Sequence, residues 1–139
     1  MKKLLFALLL AASASIFVVQ VKAQVIVIAN PGVKASDVSK NDLKDVFTGA
    51  STSLSGGTVV PVLAKAGPAH EEFLQAYIGK NDAAYRAGWR SLVFSGQATM
   101  PKSVDGDAAV VEFVAHNAGA IGYIGKASAH DGVKVLSVK

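Results

Sequence analysis

The 139-residue chain contains no cysteine. That excludes a disulfide framework and a thiol nucleophile, and it leaves the leader no cysteine on which to carry a lipid. Histidine is nearly as scarce. His70, His116 and His130 lie far apart, and His70-Glu71-Glu72-Phe73-Leu74 is not the His-Glu-x-x-His helix motif, so no metal site is expected. No Gly-x-Ser-x-Gly turn presents a serine nucleophile. Gly119-Ala-Ile-Gly122-Tyr-Ile-Gly125 has the wrong first spacing for a dinucleotide fingerprint and follows a helical pattern instead of a strand. The adjacent Glu71-Glu72 and the near pair Asp105 and Asp107 sit in polar surroundings, which suits solvated faces better than acid–base chemistry. With no catalytic residue, metal or cofactor in view, an enzyme is the least supported reading.

Excess charge is also scarcer than it looks. The formal net charge is +4, but Lys2, Lys3 and Lys22 fall in the first 23 residues. There Met1-Lys2-Lys3 runs into the apolar Leu4–Leu10 and then into small residues, the pattern of a signal peptide cleaved after Val21-Lys22-Ala23. Retention as a membrane anchor is the competing reading, yet the apolar run from Leu4 to Val19 is near the lower limit for spanning a bilayer. Without the leader the basic count drops from 14 to 11 against ten acids. The remaining cations are spread along the chain, so a nucleic-acid partner loses its electrostatic support. The expected product is periplasmic, free of a lipid anchor and not stably inserted in a membrane.

Residues 24–139 suffice for one core and one domain. Val25–Ala29 is a continuous apolar run closed by Asn30-Pro31-Gly32, which predicts a central buried strand. Ser39-Lys40-Asn41-Asp42 has the spacing of a capping box, and Leu43, Val46 and Phe47 follow on one helical face before Gly49. Thr58–Ala64 reads as a strand, with Pro61 arguing for an edge or a strand end. Pro68 opens a second helix with the stripe Phe73, Leu74, Tyr77 and Ile78. Asn81 caps a third that turns Tyr85, Trp89, Leu92 and Val93 inward, and Asp105–Asn117 is a fourth. Strands at 120–124 and 133–138 close the chain. The expected fold class is therefore α/β, a central sheet flanked by about four helices.

One turn remains for binding chemistry, Lys65-Ala66-Gly67-Pro68-Ala69-His70, which joins a strand to a helix. Free backbone N–H groups at a helix start attract anions, and a lysine upstream adds charge. Pro68 subtracts one donor, and Glu71 and Glu72 compete for the same positive end. Lys65, Gly67, Ala69 and His70 are the candidate ligand-binding residues.

The landmarks also fall in a familiar order: Asn30-Pro31-Gly32-Val33, Leu43-Lys-Asp-Val-Phe47-Thr-Gly49, Val59-Val-Pro-Val62, Gly67–Phe73 and Gly119-Ala-Ile-Gly-Tyr123. In this the chain resembles the phosphate-type periplasmic substrate-binding proteins of ABC transporters. The resemblance implies a class II periplasmic-binding-protein-like fold, but only a single compact lobe of it, because the region that builds most of the first lobe has no counterpart here. Aligned on Phe73, the residues Gly67, Pro68 and Ala69 replace a Ser-Gly-Thr turn, and Leu63 stands near the position of the family's phosphate-gripping arginine. The implied ligand is phosphate or another small oxyanion, held weakly. The implied partners are an ABC permease, another periplasmic protein or a second copy in a homodimer. The alternative is an interaction module that has lost its ligand.

Overall fold

The computed structural model describes residues 24–139, and the expected signal peptide lies outside them. Among the described residues no helix is long and apolar enough to cross a membrane.

Among the described residues, eight strands and four α-helices follow one another along the chain. β1 (Val25–Ala29), β2 (Asp37–Val38), β5 (Val60–Ala64), β6 (Lys102–Val104), β7 (Ala120–Gly125) and β8 (Lys134–Val138) form one sheet in the order β2-β8-β1-β7-β5-β6. β1 runs antiparallel to both β7 and β8, while β5 pairs parallel with β7 and β6. The unbroken apolar sequence of β1 is thus explained by its interior place, with a neighbour on each side. β3 (Ser53–Leu54) and β4 (Gly57–Thr58) make a separate hairpin. Its two-residue turn, Ser55-Gly56, has φ of 50° and 82°, the paired positive values that match the twist of a tight hairpin.

α1 (Lys40–Thr48) begins where the sequence places it. Ser39 Oγ accepts from the Asp42 N–H, and the helix stops at Gly49 in the left-handed region. α2 (Pro68–Phe73) continues into a π-helical turn, Leu74–Ile78, ended by Gly79. α3 (Asp82–Phe94) is capped by the Asn81 side chain on the Ala84 N–H. α4 (Asp107–His116) starts after Gly106.

Successive residues of β7 face opposite sides of the sheet, and that alternation divides the helices. Tyr123 stacks on Phe73 of α2, centroids 4.0 Å apart and nearly parallel, and meets Phe47 of α1 edge-on at 5.8 Å. Gly122 faces the other way, toward Val110 and Val114 of α4. α1 and α2 therefore cover one face and α4 the other, and the described core lies in both layers around β1, β5 and β7.

Pro61 stands at a strand end, one of its two expected places, since β5 lies inside the sheet and Pro61 is its second residue. Val60 N–H already donates to Gly119 O, so the proline nitrogen faces the β6 side, where pairing begins only at Val62. Three expectations need correction. The strand expected over 58–64 is split between β4 and β5. Val93 is 40% exposed and not inward, because α3 packs through Tyr85, Trp89 and the half-buried Leu92, which leaves Val93 on the solvent side of that stripe. The stretch around Pro101, expected as loop, contains β6.

Candidate functional site

α2 and α4 begin beside each other although they cover opposite faces of the sheet. Their N-caps are Gly67 (φ 111°) and Gly106 (φ 89°), and neither helix start receives a side-chain cap. A helix leaves its first N–H groups unpaired within itself, so both starts present backbone donors. Between them, at the end of β7, lies a cleft of about 410 Å³ lined by Ala66–Ala69, Gly106, Asp107 and Gly125–Ser128, with Gln24 and Glu72 at its side.

Gly67 and Ala69 are thus on the wall of one cleft, while Lys65 and His70 are not among its lining residues. Lys65 is exposed. His70, expected among the ligand-binding residues, is instead 1% exposed, and its ring bonds inward to Tyr123. Two carboxylates temper the positive end of the cleft. Glu72 accepts from the Gln24 backbone N–H at 3.0 Å, and Asp107 accepts from the Gly125 N–H at 2.9 Å and the Ser128 hydroxyl at 2.5 Å. Lys126 is the cation on the lining. Nothing in the spacing of Gly106, Asp107, Lys126 and Ser128 links them to a turn roughly 40 to 60 residues earlier, so the sequence did not reveal them as lining the cleft.

Behind the turn runs a closed ring of hydrogen bonds. The Ala64 N–H donates to the Tyr123 hydroxyl (3.0 Å), whose oxygen lies 2.5 Å from His70 Nδ1. His70 Nε2 lies 2.6 Å from Asp82 Oδ1, to which Arg86 Nε also donates at 2.9 Å. Arg86 Nη2 then returns to the carbonyls of Ala64 (3.1 Å) and Lys65 (3.0 Å). One proton assignment satisfies every member: the tyrosine hydroxyl donates to Nδ1, and Nε2–H donates to the carboxylate. Burial raises the Asp82 carboxyl, but the His70 hydrogen bond and the Arg86 charge outweigh it and hold the group below its ordinary value. Burial pushes the Tyr123 phenol well above its ordinary value and Tyr85 up to about 12. Both phenols are therefore protonated donors at neutral pH. The i, i+4 spacing of Asp82 and Arg86 was the one part of this ring visible in the sequence.

Neither a protein-family model nor a curated protein sequence matches the chain. Solved structures do. A protein from Clostridium perfringens, assigned as a phosphate ABC transporter substrate-binding protein and solved with bound phosphate, superposes with a TM-score of 0.63 at 20% identity over 83% of this chain and 44% of its own. PstS from Borrelia burgdorferi gives 0.62 at 17% identity, over 84% and 47%. An ABC-type phosphate transport receptor from Vibrio cholerae gives 0.56 at 16% identity, over 83% and 46%. The fold is that of one lobe of a phosphate-type substrate-binding protein. At these identities the likeness is one of fold alone, and the lobe spans less than half the length of the proteins it matches. The Clostridium perfringens and Vibrio cholerae neighbours are described as phosphate-binding or phosphate-transport proteins. In the lobe, Gly67-Pro68-Ala69 supplies no hydroxyl to its cleft, and its nearest guanidinium, Arg86, is already bonded to Asp82 and two carbonyls.

Proposed function

We propose that this is an exported, non-catalytic binding protein whose lobe holds phosphate or another small oxyanion weakly in the cleft between Gly67 and Gly106. The observation that carries the reading is the convergence of two glycine-capped helix starts on one cleft beside Lys126. Each start offers backbone N–H groups and the positive end of a helix dipole, the chemistry that receives an oxyanion. The bound phosphate of the Clostridium perfringens relative supports the ligand class. Weakness follows from what the turn lacks: two hydroxyls, a guanidinium and the N–H that Pro68 removes. Glu72 and Asp107 add opposing charge. Export to a periplasm through cleavage after Ala23, and service to an ABC permease, belong to the same proposal.

A second reading, an interaction module or homodimer, is favoured by a different surface. Phe94 at the end of α3 is 96% exposed, and Met100 (38%) and Val60 (46%) line a groove of about 420 Å³. Calorimetric titration of phosphate and a panel of oxyanions into protein shown to be monomeric by light scattering separates the two. Binding that is lost in Lys126→Ala supports the oxyanion reading. Silence across the panel, with a mass that rises with concentration, replaces it with the second.

A further inference from the structure

The closed ring behind the cleft ends on two consecutive carbonyls, and that ending is unusual for a strand. Along an extended chain, successive carbonyls point to opposite sides of the strand axis. Here the carbonyls of Ala64 and Lys65 both come within 3.1 Å of one atom, Arg86 Nη2. Two carbonyl dipoles brought together this way repel each other, and a cation between them offsets the repulsion, so the guanidinium favours the departure from strand geometry after Ala64.

We infer that Arg86 is the positioning residue of the Lys65–Pro68 turn: by holding the Lys65 carbonyl toward α3 it turns the Ala66 N–H the opposite way, toward the cleft. The direction follows from the peptide unit. The described peptides are all trans, and in a trans peptide the C=O and N–H point in opposite directions. The Lys65–Ala66 peptide has its oxygen on Arg86, and Ala66 lines the cleft. The chain then turns at Gly67, whose φ of 111° admits few other residues.

The rest of the ring fixes the clamp itself. Asp82 holds the guanidinium through Nε, His70 holds Asp82, and Tyr123 holds His70 while binding the Ala64 N–H. Ser103 of β6 lies 3.5 Å from Nη1. The Arg86 side chain is only 19% exposed, so it has little freedom to leave. Lysine cannot replace it, because a point ammonium has no planar fork with which to engage Asp82 and two carbonyls together. The functional meaning of the role rests on the oxyanion reading above; its geometry does not.

The test measures the Ala66 N–H vector directly, by residual dipolar couplings in weakly aligned, isotope-labelled protein without ligand, followed by titration with inorganic phosphate. In the wild type the Ala66 coupling should fit the alignment of the β1–β7 core. In Arg86→Met it should collapse toward an averaged value while the β1 and β7 couplings still fit, and the phosphate-induced shift at Ala66 should require at least about tenfold more phosphate. Should Arg86→Met fail to fold, Arg86→Lys, which keeps the charge and loses the fork, is measured the same way. An Ala66 coupling that still fits the wild-type orientation in either folded variant overturns the inference. If the coupling collapses but the wild-type amide never responds to phosphate, the positioning role stands and the oxyanion reading falls.

Discussion

At Asp82, burial pulls one way and the His70 hydrogen bond with the Arg86 charge the other, and the second pair wins. The folded carboxyl lies below its ordinary value, so the unfolded chain takes up a proton there at a higher pH than the folded one. The stabilisation is then complete above an unfolded value of about 4 and is lost as pH falls through the lower folded value. Asp82→Asn should flatten the acid limb of a plot of melting temperature against pH below about pH 4, and an acid limb identical to the wild type would remove Asp82 from the account. Trp89 is a different case, since it is 4% exposed and its Nε1–H shares the Phe47 carbonyl with the Tyr85 hydroxyl. That carbonyl lies in the last turn of α1, where a helix has no acceptor's partner of its own. Trp89→Ala should cost about 3–5 kcal/mol through the lost volume and this bond, visible in thermal or urea melts; an unchanged transition contradicts the packing described. Trp89 was legible from its helical stripe. The inward ring of His70 was not, because its partners Asp82 and Tyr123 stand 12 and 53 positions away and nothing local to the turn reveals them.

Elements with their own caps and stripes were readable, and elements that exist only through pairing were not. α1 and α3 carry Ser39 and Asn81, residues whose side chains bond the helix start, and β1 carries five consecutive apolar residues. β2 and β6, by contrast, have two and three residues, too few for any periodicity, and are strands because β8 and β5 offer them a ladder. The packing of α4 on the sheet depends on a residue that a sequence pattern cannot weigh, Gly122. A Cβ there would come within 2.8 Å of both Val62 Cγ1 and Val110 Cγ1. Gly122→Ala must push α4 outward or force the valines from their rotamers, at about 1–3 kcal/mol. Chemical denaturation reads this directly, and a variant as stable as the wild type would mean that the α4 layer has slack that the structure does not show.

For the whole molecule, the order of short motifs was enough to reach the fold of the lobe, because those motifs are interior strands together with the turns and helix ends at which the chain changes direction. It was not enough for the cleft, half of which comes from α4 and the end of β7. Affinity also belongs to this scale. A ligand closed between two lobes is gripped from both sides and shielded from water, which strengthens each polar contact. If each side of a micromolar complex contributes about 4 kcal/mol of about 8, this lobe alone retains roughly millimolar binding. Monomeric protein should therefore bind phosphate no tighter than about a millimolar by calorimetry, and a micromolar constant for a proven monomer would refute the argument.

The place of β1 has a consequence in time as well as in space. Its two neighbours are the last two strands among the described residues, and Val25 faces Gly125 across the ladder. No early portion of the polypeptide can close the middle of the sheet, so the first strand waits for partners about a hundred residues behind it. Topologies dominated by such distant pairings fold slowly. If the chain is exported as proposed, threaded N-terminus first through a membrane pore, β1 emerges and stays unpaired until β7 and β8 have followed, so the sheet would be completed on the far side.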